Sequence, residues 1–212
     1  MNTSYLDRIE LNKWPAISEM ARSREILYLA MLTGYVPRSR RARGTRLYYC
    51  ISTPDAARKR LADHLRSMAQ MHQLNVLPIL DCWATNRAQV LDRACDHLLE
   101  PDRSAFVIVL DPDTGLVDQV HGRGHERDPR YLTEHEVLRV WRALRPGDAL
   151  IVYQHNQHFA GWREYYSALL AKLLNISNVS EIYLGQACLY FAEPSPVASQ
   201  AHGIMHVPPA RS

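Results

Sequence analysis

Apolar residues occur along the chain in short continuous runs that alternate with amphipathic segments. The clearest runs lie at 26–32, 105–110 and 149–153, and weaker ones lie at 46–51 and 75–80. Continuous apolar runs of this length are typical of strands buried on both faces of a sheet. Pro78 favours an edge position for the strand at 75–80, because proline has no backbone N–H to donate to a neighbour.

The segments between these runs carry apolar residues at helical spacing. The pattern predicts helices at about 11–24, 87–99, 133–144 and 160–174, and a further helix that begins at 52–55. Thr133 and Glu136 have the spacing of a capping box, so they predict a defined start for the fourth of these helices. Two short strands at 180–184 and 187–192 surround Gly185, which predicts a closing hairpin.

Strands that alternate with helices predict right-handed crossovers and a parallel sheet. The sequence therefore predicts an α/β fold with a doubly wound, mostly parallel sheet, helices on both faces and an antiparallel C-terminal hairpin. A chain of 212 residues is long enough for one well-buried core. We expect a single domain over 1–193 and a C-terminal tail over 194–212.

Composition narrows the class of protein. The four cysteines form no Cys-x-x-Cys pair, which is typical of core thiols in a reducing compartment. The sequence has no signal-like N-terminal segment, and no apolar run approaches the 18 residues that a membrane helix needs. These features predict a cytoplasmic protein that does not span a membrane.

Positive charge is concentrated in the N-terminal third. Residues 1–66 hold 13 Lys and Arg against 6 Asp and Glu, although the whole chain has a net charge of only +3. The densest group is Arg38, Arg40, Arg41 and Arg43. Because guanidinium groups suit phosphate oxygens, this group predicts a nucleic-acid partner, whereas the simpler interpretation is a solvated surface. The pattern specifies neither a protein partner nor an oligomeric state.

The chemistry-bearing residues follow two strands expected to be neighbours. Asp111 and Asp113 follow the run at 105–110, and the Tyr-Gln-His turn at 153–155 follows the run at 149–153. Because the carboxyl ends of parallel strands meet at one edge, we expect Asp111, Asp113, Gln154 and His155 to face a shared crevice and to be the catalytic candidates. The alternative is that the acids build the turn and that Gln154 ties the strand ends together. The role of the loop with His121 and His125 stays open.

The order of elements resembles the Rossmann-like class of S-adenosylmethionine-dependent methyltransferases over almost the whole chain. The segments that carry the resemblance are 48–56, 77–81, 107–112 and 144–152, which are similar to the second to fifth strands of that class and their turns. In layout the chain looks closest to the three-Cys-motif partner proteins and to amino-methyltransferases that carry Asp-Pro-Pro-Tyr. The Asp-Pro-Asp-Thr-Gly and Tyr-Gln-His pair is also similar to bacterial proteins of unassigned function.

The resemblance implies S-adenosylmethionine as cofactor, bound by Thr33, Gly34, Ser52 and Asp81. It also implies that Asp111 accepts a hydrogen bond from an amine, which we expect to belong to a nucleic acid.

Two alternatives stay open at the level of sequence. Asp111, Asp113 and a histidine would suit a divalent metal and phosphodiester hydrolysis, although no lysine lies near these acids in the sequence. A non-catalytic binding module for nucleic acid or a protein partner is favoured by Gly34, the single glycine where the class has a glycine-rich turn, and by Ser52, which stands in place of an acid.

Overall fold

The computed structural model describes residues 8–22, 24–31, 67, 71, 80–81, 87–112, 114–117 and 131–195. The helices are α1 (Arg8–Ala21), α2 (Arg87–Leu98), α3 (Glu134–Ala143) and α4 (Trp162–Leu174). The strands are β1 (Glu25–Met31), β2 (Leu80–Asp81), β3 (Phe106–Pro112), β4 (Gly115–Val117), β5 (Tyr131–Thr133), β6 (Ala149–His155), β7 (Ser180–Tyr183) and β8 (Ala187–Ala192).

Six of these strands form the main sheet, in the order β2-β1-β3-β6-β8-β7. In this order β2, β1, β3 and β6 are parallel to one another, and β8 runs antiparallel to both β6 and β7. β3 and β6 lie at the centre and are apolar along most of their length, because both of their faces are covered. Strands β4 and β5 form a separate parallel pair.

Helices cover both faces of the main sheet. α1 packs on one face, where its Trp14 and Ile17 are buried in one cluster with the side chains of β1, β3 and β6 that point toward this helix. α2, α3 and α4 pack on the other face and enclose the larger core. The doubly wound α/β architecture and the antiparallel hairpin that the sequence predicts are therefore confirmed.

The capping box is also confirmed. The backbone N–H of Glu136 donates to the Thr133 hydroxyl, and the Glu136 carboxylate accepts from the Thr133 N–H, which fixes the start of α3. Of the predicted edge strand only Leu80 and Asp81 are described, and they lie outermost among the described strands. The strand predicted at 46–51 lies outside the described residues.

Two central strands extend beyond their predicted ends. β3 continues to Pro112 because Met31 of β1 pairs with it, and β6 continues to His155 because Ala187 of β8 pairs with it. The prediction that 153–155 form a turn is therefore wrong. The described part of the chain contains no helix long and apolar enough to cross a membrane.

A buried ion pair joins the amino ends of β3 and β6. Both side-chain oxygens of Asp148 accept from the Arg103 guanidinium, at 2.7 and 2.5 Å, and the pair is almost inaccessible to solvent. The backbone N–H groups of Phe106 and Arg145 donate to the same carboxylate. This carboxylate therefore fixes the strands at the edge opposite to the candidate site.

We expect Asp148→Asn to lower the free energy of unfolding by about 3–5 kcal/mol, because Arg103 would stay buried without a counter-charge. The matched control is Asp92→Asn, which breaks an exposed ion pair with Arg139 between α2 and α3. That change should cost less than about 1 kcal/mol. Urea unfolding at pH 7 measures both values. Equal losses of unfolding free energy in the two variants would contradict the structural role of the buried Arg103–Asp148 pair.

The same pair predicts a pH dependence. Burial by itself would raise the pKa of Asp148, but the hydrogen bonds from Arg103, Arg145 and Phe106 and the charge of Arg103 lower that pKa below its ordinary value. Because the folded pKa lies below the unfolded one, the stabilisation is present at neutral pH and is lost as the pH falls. The stability difference between the natural chain and Asp148→Asn should shrink below about pH 4. A difference that stays constant down to pH 3 would argue against this role.

Candidate functional site

The central strands end side by side, as the sequence predicts. Leu110 of β3 pairs with Val152 of β6, and both strands run in the same direction. On the other side of β3, Asp111 pairs with Ala30 of β1. The carboxyl ends of three parallel strands therefore lie at one edge of the sheet, with Asp111 on the middle one.

Alternation along the strands divides the candidate residues between the two faces. Tyr28, Val109 and Tyr153 belong to the core cluster on the α1 face, whereas Leu110 and Val152 belong to the cluster on the opposite face. Because neighbouring residues of a strand point to opposite sides, Asp111 lies on the α1 face and Gln154 on the other. The expectation that these two side chains share one crevice is wrong.

A lysine from α1 contacts Asp111. The Lys13 ammonium donates to Asp111 Oδ2 at 2.9 Å, across 98 residues of sequence. The lysine side chain is 1% exposed and the aspartate side chain is 17% exposed. The Tyr28 hydroxyl donates to the same oxygen. A buried charge is costly unless it is paired and hydrogen-bonded, and these contacts meet that requirement.

Aromatic rings surround the ammonium group. Lys13 Nζ lies 5.5 Å from the centre of the Tyr28 ring and 4.8 Å from the centre of the Tyr153 ring. Trp14 stacks on Tyr28, with ring centres 5.1 Å apart. Rings attract a cation through their negative faces, so this packing holds Lys13 in place behind Asp111.

His155 lies on the same face as Asp111, one alternation beyond Tyr153. It is partly exposed, and its ring packs edge-on against the Tyr153 ring at 4.8 Å between centres. Its position at the end of β6 is fixed by pairing with Ala187. The His155 imidazole therefore lies at the same carboxyl edge of the sheet as Asp111.

Gln154 has a structural role on the other face. Its Oε1 accepts from the Leu116 N–H at 2.7 Å, and its Nε2 donates to the His155 carbonyl at 3.1 Å. The side chain is 1% exposed. These bonds tie β4 to the end of β6, so the alternative that the sequence left open for Gln154 is the one observed.

The cysteines of the described residues do not supply a nucleophile. Burial, and secondarily the charge of Glu181, raises the pKa of the Cys188 thiol to about 12. Burial followed by the charge of Asp96 also raises the pKa of Cys95. Both thiols face the larger core and stay protonated at neutral pH, as predicted for core cysteines.

The described residues include no group of three or more His, Cys, Asp or Glu side chains that could hold a metal ion. An open cavity of about 520 Å³ follows β6 and is lined by residues 156–164. It lies at the start of α4, next to the edge of the sheet that carries Asp111 and His155.

Several predicted site residues lie outside the described part of the chain. They are Thr33, Gly34, Ser52, Asp113, Arg38, Arg40, Arg41, Arg43, His121 and His125. Asp81 is described as the end of β2, where it pairs with Ala30. The roles predicted for all of these residues stay predictions.

Sequence reasoning missed Lys13 and Tyr28. Each is separated from Asp111 by more than 80 residues. Tyr28 lies within an apolar run, and Lys13 within a helix whose apolar spacing gave no reason to single it out. The one available signal was alternation, which places Tyr28 on the same face of a parallel sheet as Asp111 once the register is known.

Comparisons with known proteins add little. No protein-family model matches the sequence, and no curated protein matches it. Among solved structures the chain is similar to an O-methyltransferase family protein from Burkholderia thailandensis, with 16% identity and a TM-score of 0.39. The match covers 88% of this chain and 57% of that protein. The architecture described above stands on strand order and register and not on this likeness.

The contact between Gly115 and Gln154 gives a stability prediction. Gly115 has φ +119°, and an added Cβ would lie 2.4 Å from Gln154 Nε2, whereas Gly185 has φ +88° and nothing within 4 Å of such a Cβ. We expect Gly115→Ala to destabilise the protein by about 2 kcal/mol more than Gly185→Ala, because only the first adds a clash to backbone strain.

Thermal or urea unfolding of the two alanine variants measures the difference. Gly115→Ala should cost less in a Gln154→Ala background than in the natural chain, since the atoms that clash are absent there. Equal stability of Gly115→Ala and Gly185→Ala would show that Gln154 does not occupy this space.

Proposed function

We propose that the chain is an S-adenosylmethionine-dependent methyltransferase that acts on an amine of a nucleic acid, with Asp111 as the acceptor of a hydrogen bond from that amine. The observation that carries the proposal is the position of Asp111. It is a partly exposed carboxylate at the carboxyl end of the central strand, flanked by parallel strands on both sides. Open α/β sheets bind ligands at this edge.

The cofactor, when bound, supplies an electrophilic methyl group. The residues of this chain then have two tasks. Asp111 orients the amine and strengthens it as a nucleophile by accepting one of its protons in a hydrogen bond. His155, on the same face, is placed to take a proton from the amine as it is methylated.

The strand register fits a cofactor at this edge. Asp81 and Asp111 both pair with Ala30, from opposite sides of β1. Their backbones are therefore about 10 Å apart, two strand spacings, at the same height in the sheet. Carboxylates are acceptors for the amine and hydroxyl donors of a nucleoside, which supports Asp81 as a cofactor-binding residue. Thr33, Gly34 and Ser52 complete the proposed set.

The nucleic-acid part of the proposal rests on sequence. Arg38, Arg40, Arg41 and Arg43 form a dense cationic group in a chain whose positive charge is concentrated before residue 66. Such a group neutralises phosphates without specifying a base.

One alternative has support from a specific contact. Because Lys13 and Tyr28 already bond to Asp111, the acid has a structural role even in a protein that transfers no methyl group. That observation favours a non-catalytic binding module as the second candidate. The metal-dependent nuclease is less favoured, since a divalent cation at Asp111 would lie close to the buried Lys13 ammonium, whose positive charge repels it.

We expect isothermal calorimetry to detect binding of S-adenosylmethionine, and Asp81→Ala to weaken it by about tenfold or more through loss of a hydrogen bond to a charged group. Asp111→Asn should leave cofactor affinity unchanged. With radiolabelled cofactor and single-stranded RNA or duplex DNA as acceptors, Asp111→Asn should lower the rate of methyl transfer about 100-fold. No heat of binding at millimolar cofactor would instead favour the binding module.

We expect binding to single-stranded RNA to weaken steeply with salt. Replacing Arg40, Arg41 and Arg43 together by Ala should reduce the slope of log K against log salt concentration by about 2, close to 0.7 for each phosphate that is no longer neutralised. Arg93→Ala is the matched control, because Arg93 is an exposed arginine on α2 that does not belong to this group in the sequence. An equal slope in the triple variant would rule out this arginine group as the interface.

A further inference from the structure

We propose that Lys13 and Tyr28 are positioning residues that hold Asp111 by one oxygen and leave the other for an uncharged N–H donor. This inference rests on the proposed function and extends it to the substrate class of the same site. Neither residue is expected to touch the substrate.

The two donors converge on a single atom. Lys13 from α1 and Tyr28 from β1 both donate to Oδ2 of Asp111. Within the described residues no donor to Oδ1 is found, so that oxygen keeps its acceptor capacity. A carboxylate held at one oxygen by two donors from different elements cannot rotate freely, and its second oxygen has a fixed direction.

Exposure shows which group meets a ligand. Asp111 is 17% exposed, whereas Lys13 is 1% exposed and Tyr28 3% exposed. The carboxylate is therefore the most accessible of the three bonded groups. The rings of Tyr28 and Tyr153 also contact the ammonium, which contributes to its burial.

This arrangement selects among ligands. The open oxygen of the carboxylate only accepts hydrogen bonds, so it requires an N–H or O–H donor on the ligand. A phosphate or carboxylate placed at Oδ1 would be repelled by the charge of Asp111. A divalent cation at Oδ1 would be repelled by the Lys13 ammonium on the neighbouring oxygen. Taken together with the proposed transfer to an amine, the geometry points to a neutral N–H donor, such as the exocyclic amine of a nucleobase, as the group that meets Asp111.

The decisive variant is Tyr28→Phe. It removes one donor to Oδ2 but keeps the ring that faces Lys13 and stacks on Trp14. The matched control is Tyr190→Phe, which removes the hydroxyl of a buried tyrosine on the opposite face, where it donates to the Arg163 carbonyl. Methyl transfer to RNA is followed with radiolabelled cofactor, together with cofactor affinity by calorimetry and the melting temperature.

We expect Tyr28→Phe to lower kcat about tenfold, the equivalent of one hydrogen bond to a charged group, with KM and cofactor affinity unchanged. Tyr190→Phe should leave kcat unchanged. Lys13→Met should reduce kcat further, and Lys13→Arg should restore part of the rate, because a guanidinium can still donate to Oδ2. If Lys13→Met does not fold, the comparison of Tyr28→Phe with Tyr190→Phe still decides the question.

Failure of the positioning role and failure of the proposed function give different results. A natural chain that transfers methyl groups, with Tyr28→Phe at the natural kcat or with its loss confined to the melting temperature, overturns the positioning role alone. A loss confined to KM would place Tyr28 in ground-state binding and would also overturn it. A natural chain that binds no cofactor and transfers nothing overturns the proposed function, and this inference with it.

Discussion

A lysine ammonium buried to 1% exposure needs a counter-charge inside the protein, and in this chain Asp111 provides it. That requirement connects the first helix to the central strand over 98 residues of sequence. Because the sheet supplies the carboxylate at its carboxyl edge, α1 is held against that edge by charge as well as by the apolar contacts of Trp14 and Ile17. The pair therefore links the candidate acid, the rings that contact the lysine and the packing of α1 on one face of the sheet.

The two faces of the sheet have different tasks. On the α1 face Asp111 and His155 reach the carboxyl edge and are partly exposed. On the other face Gln154 hydrogen-bonds to β4 of the two-stranded β4–β5 sheet, and the thiols of Cys95 and Cys188 lie in the larger core. At the amino edge, the pair of Arg103 and Asp148 fixes β3 and β6. The strand ends are thus fixed by Gln154 on one face and by the buried ion pair at the amino edge, while Asp111 and His155 keep partial exposure at the carboxyl edge.

The fold could be predicted because the local sequence patterns agree with the elements that form in the folded protein. Continuous apolar runs marked β1, β3 and β6, and the Thr133 and Glu136 pair marked the start of α3. The site was predicted only in part. Adjacency of Leu110 and Val152 was correct, but Gln154 was placed with Asp111 because β6 was ended too early, at Tyr153. Lys13 could not be found at all, since its contact with Asp111 depends on how α1 packs on the sheet and no periodicity reports that packing.

The most direct test of this account is a double-mutant cycle on the free energy of unfolding with Lys13→Met, Asp111→Asn and the combined variant. If the buried ammonium is paired with the carboxylate, each single change removes the same attraction, and the combined change costs less than the sum of the two. We expect a coupling energy of about 1.5–3 kcal/mol. A coupling energy near zero would show that Lys13 does not hold Asp111, and would contradict both the geometry of the site and the function proposed for it.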